Sequence, residues 1–316
     1  MRRIAVITPV RHLEGIEELL ATKGQVLYYE RASKDEVGKA LLIHMIDTIV
    51  CNPNEQKYKI DEELLKGTNV KTINSCSTGL NHIDLEYCKN NNIEIQCHKN
   101  DYELINNLPS TSELAFGLMM SLLRQIPAAQ QHVKFYQWDY TQFIGRQVKD
   151  LNIGIVGYGR LGKMMYNYCQ AFGANVKIYD PYIKEELSDF FLLNNWCSTL
   201  EELVEWSDVV SLHVHVTKET THMINKKLFG NLIKSLYIIN TSRGEIVNEH
   251  DIIDALNNGT LAGYATDVIT DEFGDLTKSP IIKGMDNKLN IIATPHIGGM
   301  TWEGQLKAYE WSINKL

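Results

Sequence analysis

Along residues 1 to about 100, short apolar runs alternate with longer stretches whose apolar positions recur at helical spacing. The runs Arg3 to Thr8, Val26 to Tyr29, Thr48 to Cys51, Val70 to Asn74 and Ile93 to Gln96 predict strands, and Glu14 to Ala21, Lys34 to Ile43 and Ile83 to Asn90 predict helices. Alternation of this kind argues for a parallel sheet covered by helices on both faces. A polar connection, residues 99 to 112, then passes Pro109 to a capping-box-like start, Ser110-Thr111-Ser112-Glu113. From Leu114 to about Gln131 the pattern predicts one long helix, with Leu118, Met119, Leu122 and Leu123 on one face. It is too rich in small and apolar residues to face solvent on most sides. It reads as a spine between two domains and a dimer surface, since Trp138, Tyr140 and Phe143 follow closely, although a domain core explains those aromatics equally well.

The stretch Leu151 to Asp180 changes the picture. An apolar run, Ile153 to Val156, breaks at Gly157-Tyr158-Gly159-Arg160-Leu161-Gly162, continues at helical spacing and returns to a strand at Val176 to Tyr179. In this βαβ unit Gly157 makes the tight turn, Gly159 lets backbone approach a pyrophosphate, and Gly162 lets the helix pack closely on the sheet. The N–H groups of Tyr158 to Leu161 would open the helix, where the helix dipole favours an anion. Asp180 lies eighteen residues after Gly162, where a carboxylate can accept hydrogen bonds from an adenosine ribose and repel a 2′-phosphate. The cofactor implied is NAD in preference to NADP. Further strands are predicted at Asp208 to Val214, Leu236 to Asn240, Ala262 to Val268 and Asn290 to Ala293. The final helix, from about Trp302 to Leu316, is expected to pack back on the first domain, which makes that domain discontinuous in sequence.

At 316 residues the chain suits two domains. A net charge of −8 offers no basic footprint for nucleic acid. The six cysteines show no CxxC pair and no zinc spacing, which fits reduced thiols in a cytoplasmic protein. The apolar run after the two N-terminal arginines is far shorter than a signal core or a membrane span.

In open α/β sheets ligands sit beyond the carboxyl ends of the strands, so the loops to watch in the first half are Asn52 to Lys57 and Ser75 to Asn81. Successive N–H groups in the second loop can form an anion nest, or the loop is a plain turn with Asn81 or His82 capping the next helix. In the second half Arg243, Glu272 and His296 each follow a predicted strand. Arginine matches a carboxylate with a fixed fork of donors. Histidine can take a hydroxyl proton as a hydride leaves and return it in the reverse direction. A carboxylate on the other ring nitrogen would fix its tautomer. Singly, each is more often a surface charge or an ordinary loop residue; their strand-end order, with Gly244, Pro295, Gly298 and Gly299 beside them, favours one site.

Through STGLNHID, STSELA, GIVGYGRLG, YDP, SDVVSLHV, NTSRGEIV, ATDV and TPHIGG the sequence resembles the D-isomer-specific 2-hydroxyacid dehydrogenases, over nearly its whole length. The resemblance implies an α/β protein with a Rossmann NAD-binding domain, residues 101–299, and a smaller flavodoxin-like α/β substrate domain, residues 1–100, completed by a C-terminal helix, 300–316. It implies a catalytic set of Arg243 (substrate carboxylate and carbonyl), Glu272 (partner of the histidine) and His296 (acid/base), in a cleft between the domains. Tyr158, Arg160, Leu161 and Asp180 would hold pyrophosphate and ribose. His213, Thr241, Ser242, Arg243, Asp267 and His296 to Gly299 would line the nicotinamide side, with Asp267 on the carboxamide. Ser77, Thr78 and Gly79 would grip the substrate carboxylate, and the assembly would be a homodimer acting on a small 2-hydroxy or 2-keto acid. Where the family often reads His-Val-Pro, this chain has His213-Val214-His215, a pair on one strand face with no third metal ligand in view. The loop Asn52 to Lys57 lacks the arginines expected near a phosphorylated substrate, leaving Lys57, Lys59 and Lys99, and the regulatory domain of some relatives is not expected after the final helix. Formate dehydrogenase relatives carry glutamine where Glu272 stands; phosphite dehydrogenase relatives keep the triad, and NAD-sensing corepressors share the fold.

Overall fold

Two all-parallel sheets account for the strands in the computed structural model, which describes residues 1–53, 58–183, 195–230 and 232–316. The first holds β1 (Arg2–Val6), β2 (Gly24–Tyr28), β3 (Thr48–Cys51), β4 (Thr72–Ser75) and β5 (Glu94–Gln96) in the order β2-β1-β3-β4-β5, the flavodoxin-like arrangement. Its two faces bury separate clusters. Ala5, Ile7, Ile49 and Ile73 pack with Val37, Leu41 and Leu64, while Ile4, Val6 and Val50 pack with Ile16, Leu20, Tyr309 and Ile313. Period-two alternation along each strand dictates that split.

The second sheet holds β6 (Asn152–Val156), β7 (Asn175–Tyr179), β8 (Val209–Leu212), β9 (Leu236–Asn240), β10 (Leu261–Thr266) and β11 (Ile291–Ala293), in the order β11-β10-β9-β8-β6-β7. Trp196 makes one parallel bridge to Ile178 of β7 on its outer edge; counted as a rudimentary strand, it completes the Rossmann order 3-2-1-4-5-6, with β11 as a seventh strand beyond β10. Strand order reverses at β6, so the glycine turn sits at the switch point, where such sheets open a crevice.

The chain divides into two compact units, Met1–Leu108 with Gly299–Leu316, and Pro109–Gly298. The changeover at Leu108 lies beyond the position 100 read from the sequence. The reason is the short helix Tyr102–Ile105, which packs on the helix Trp302–Asn314, and an ion pair between Asp101 and Lys315. Within the first unit the C-terminal helix is sewn to the sheet. Tyr309 Oη lies 3.0 Å from Thr8 Oγ1, and Ser312 Oγ donates to Asn74 Oδ1 at 2.7 Å.

Several local expectations are corrected. The stretch 114–131 is not one helix: Ser110–Leu123 and Ile126–Lys134 are separated at Gln125, which takes a left-handed φ of +51°. Pro127, in the first turn of the second helix, lacks the N–H a continuous helix would need. No capping box closes the N-terminus of Ser110–Leu123; Pro109 stands at the cap, and Ser112 Oγ instead donates to the Leu161 carbonyl at 2.9 Å. That helix buries Leu118, Met119, Leu122 and Leu123 in the core of the second unit. Neither Asn81 nor His82 caps the next helix, which begins at Leu85 with Asp84 accepting from the Tyr87 N–H. Strand β8 stops at Leu212, leaving His213 and Val214 beyond its end. Residues 54–57 of the loop Asn52 to Lys57, Lys57 among them, lie outside the described residues.

Candidate active site

The glycine turn has the geometry its composition requires. Gly157 has a φ of +88°, and a Cβ there would stand 2.5 Å from the His213 carbonyl oxygen. At Gly162 a Cβ would stand 2.0 Å from the Gly157 carbonyl oxygen, so only hydrogen lets the helix Arg160–Ala171 sit on its own turn. Nothing lies within 4 Å of a Cβ built on Gly159, so backbone there is open to a ligand. Asp180, just past β7, accepts the Tyr158 N–H on Oδ2 at 2.8 Å and the Tyr182 N–H on Oδ1 at 3.0 Å. The Tyr158 N–H is therefore spent on Asp180 rather than offered to an anion, and the expected run of donors is one shorter. The His213 N–H donates to the Val156 carbonyl at 2.8 Å, and its Nε2 lies 2.9 Å from Ser211 Oγ. Burial pushes the His213 imidazole down to about 4, so it is neutral at physiological pH.

The ends of the neighbouring strands β9, β10 and β11 carry the three candidate catalytic residues. His296 Nδ1 meets Glu272 Oε2 at 2.7 Å, with about a quarter of each side chain exposed, 25% and 21%. Two loops 24 positions apart are thus joined by one short contact. His296 has a left-handed φ of +55°, a conformation that costs a non-glycine residue on the order of 1 kcal/mol unless its surroundings enforce it. Asp267 does so. Its carboxylate accepts from Thr294 Oγ1 at 2.6 Å, the Ile297 N–H at 2.8 Å and the Gly298 N–H at 2.7 Å, while its carbonyl takes the His296 N–H at 3.0 Å. Burial raises the Asp267 carboxyl above its ordinary range, against the pull of those donors.

Arg243 leaves β9 on a turn clipped by Asn240, whose amide donates to the Arg243 carbonyl at 2.9 Å and accepts the Ser242 N–H at 3.0 Å. Arg243 Nη1 donates to the Ser242 carbonyl at 2.6 Å. Ser242 Oγ donates to the Leu212 carbonyl at 2.8 Å, which ties the turn to the end of β8. Thr241 Oγ1 is buried with no hydrogen-bond partner among the described residues, an orphan that a bound polar group would satisfy.

Two supports escaped the sequence reading. Asn240, fully buried, is an amide closing the apolar run LYIIN, a signal that was there to be used. Glu249 accepts the Thr270 N–H at 2.7 Å and so braces the loop that carries Glu272; nothing in the sequence links those two positions. In the first unit Ser77, Thr78 and Gly79 follow β4 directly. Ser77 Oγ donates to the Gly79 carbonyl at 2.9 Å, and the Ser77 carbonyl takes the His98 N–H at 2.9 Å.

Comparison with known proteins agrees with this geometry. Residues 116–298 match the NAD-binding domain of the D-isomer-specific 2-hydroxyacid dehydrogenases. D-3-phosphoglycerate dehydrogenase of Bacillus subtilis is 34% identical over 298 residues, 93% of this chain and 52% of the relative. D-lactate dehydrogenase of Staphylococcus epidermidis is 30% identical over 264 residues, 79% of this chain and 76% of the relative. The chain spans about half the length of the phosphoglycerate dehydrogenases it matches. Among solved structures, D-lactate dehydrogenase of Aquifex aeolicus complexed with NAD and lactic acid superposes with a TM-score of 0.77 at 27% identity, covering 99% of this chain and 94% of that one. With a glycine turn at the switch point, a His–Glu contact across two strand ends and a family match over most of its second unit, the chain belongs to the D-isomer-specific 2-hydroxyacid dehydrogenase family and carries its NAD-binding domain.

Proposed function

We propose that the protein is an NAD-dependent dehydrogenase acting on a small D-2-hydroxy acid or its 2-keto acid. The observation that carries this reading is the 2.7 Å contact of His296 Nδ1 with Glu272, in the same sheet that bears the glycine turn. NAD(H), when bound, supplies the hydride acceptor or donor. The protein supplies the rest. With Nδ1–H donating to the carboxylate, Nε2 is the nitrogen that takes the C2 hydroxyl proton during oxidation and returns it during reduction. Arg243 binds the substrate carboxylate and polarises the carbonyl. Asp267 can still accept a carboxamide N–H while holding the His296 turn, and Thr241, Ser242, His213, Gly298 and Gly299 line that side of the cofactor. Gly157, Gly159 and Gly162 shape the turn that holds the pyrophosphate, with Arg160 and Leu161 opening the helix, and Ser77, Thr78 and Gly79 hold the substrate carboxylate.

The test is a panel of 2-keto acids, phosphorylated and not, reduced with NADH and in parallel with NADPH. At least one acid should be turned over, with NADH strongly preferred; a chain that consumes NADH with none of them defeats the reading. Asp180→Ala should narrow the NADH-to-NADPH ratio of kcat/KM by about tenfold, because a 2′-phosphate no longer faces a carboxylate. An unchanged ratio would mean that Asp180 does not touch the ribose.

We also propose a homodimer. The helix Ile126–Lys134 buries none of its residues, and Tyr136, Trp138, Tyr140 and Ile144 after it are 80% exposed or more, an apolar patch that isolated chains rarely present to water. Phe143 is set apart by its contact with the His132 ring. Light scattering should give twice the chain mass for the parent and a lower mass for the double variant Trp138→Glu, Tyr140→Glu; a parent of single-chain mass would remove the proposal.

A further inference from the structure

The loop after β4 is tied to a buried imidazole through two hydroxyls. His82 is only 4% exposed, and its Nε2 lies 3.3 Å from Ser75 Oγ and 3.6 Å from Cys51 Sγ. Ser75 Oγ lies 2.9 Å from Ser77 Oγ, which donates to the Gly79 carbonyl. Donor bookkeeping fixes the direction of this chain. The one proton of Ser77 goes to Gly79, so Ser77 Oγ must accept the proton of Ser75; Ser75 Oγ must then accept from His82, which places the imidazole proton on Nε2. The other nitrogen, Nδ1, is buried with no partner among the described residues. On this assignment it is an acceptor without a donor, which folded proteins tolerate better than a buried donor left without an acceptor. Burial pushes the imidazole down to about 4, which keeps it neutral at physiological pH. The backbone of His82 is itself anchored, its carbonyl taking the Ile60 N–H at 2.8 Å.

We propose that His82 is a positioning residue for substrate binding: its Nε2–H, relayed through Ser75 and Ser77, pins the Gly79 carbonyl and thereby aims the Leu80 N–H at the substrate carboxylate. The last step follows from peptide geometry, because in a trans planar peptide the N–H of residue 80 is antiparallel to the carbonyl of residue 79. The inference rests on the dehydrogenase reading of the loop at residues 77–79.

Three variants and one spectrum test it. His82→Leu should raise KM for the best keto acid of the panel about tenfold, the order expected for one well-placed hydrogen bond, with kcat and the NADH dissociation constant within about twofold of the parent. His82→Gln, whose amide N–H₂ reaches the ε position, should recover most of that loss. Ser75→Ala should match His82→Leu, and combining the two should add little, as expected for residues acting in one chain. An unchanged KM in both His82→Leu and Ser75→Ala overturns the proposal, as does a parallel loss of KM, kcat and NADH affinity that His82→Gln does not repair. Should His82→Leu not fold, the other two variants decide. Long-range nitrogen–proton correlation spectra of the parent at pH 7 should show His82 as the neutral Nε2–H tautomer; an Nδ1–H tautomer overturns the relay whether or not any keto acid is reduced. Failure of the relay and failure of the dehydrogenase reading are therefore seen separately.

Discussion

Substituting His296 with asparagine is expected to lower kcat by about 10²- to 10⁴-fold, the usual contribution of a positioned acid/base, while the NADH dissociation constant stays within about twofold. Asparagine is preferable to alanine for this purpose. His296 sits at a φ of +55°, which asparagine adopts far more readily than alanine, so the turn held by Asp267 is retained and the change falls on proton transfer. An amide cannot exchange a proton at physiological pH, and hydride transfer to a carbonyl without a proton leaves an alkoxide in a site built to neutralise it. Glu272→Gln should give a smaller loss. It keeps an oxygen that can accept from Nδ1–H at the observed 2.7 Å but removes the negative charge that faces the ring. Stopped-flow transients of NADH consumption check both, with fluorescence titration of NADH as the control. A His296→Asn enzyme whose kcat falls less than threefold would take the residue out of the chemistry and leave Glu272 as a loop contact.

Where several elements agreed, the sequence was easily read. The strands of both sheets were placed to within about two residues, because in a parallel sheet buried on both faces a strand is a near-continuous β-branched run, and such runs as DVVSL and LYIIN resemble nothing else. The glycine turn was legible residue by residue, since Gly157 and Gly162 each answer a steric demand that no other side chain meets. The break at Gln125 was not. No glycine marks it, and the apolar pattern runs through the interruption; Pro127 was the signal, and the helical period outweighed it. At the site, the partnership of His296 and Glu272 could be anticipated because both positions sit at strand ends, where parallel topology gathers them. The supports differ. Asn240 clips a turn two and three positions on, so the amide closing LYIIN was a local signal, whereas Glu249 acts on a partner fixed only once loops distant in sequence have closed, Thr270 twenty-one positions away. The tight approach of Gly244 is of the same kind: a Cβ there would meet the Ile269 carbonyl carbon at 2.1 Å, which presses the Arg243 turn onto the segment leading to Glu272.

That approach bears on the second large effect, at Arg243. Arg243→Lys is expected to lower kcat/KM for the keto acid by about 10- to 150-fold, the range that corresponds to one charged hydrogen bond of about 1.5–3 kcal/mol. The charge survives the substitution, so any loss beyond a factor of a few measures the planar fork of donors, which lysine lacks. The loss should fall mainly on KM if the fork holds only the carboxylate, and on kcat as well if one of its N–H groups also faces the carbonyl oxygen as charge develops there. Collapse of the turn is not a competing explanation. The turn is held by backbone and by the Asn240 amide, neither of which depends on the guanidinium, and the guanidinium's hydrogen bond to the Ser242 carbonyl goes to its own neighbour. An unaltered melting temperature should accompany the kinetic change. If kcat/KM were instead unaltered, a point charge would suffice at this position, and recognition of the carboxylate would have to come from the backbone donors of the loop at residues 77–79.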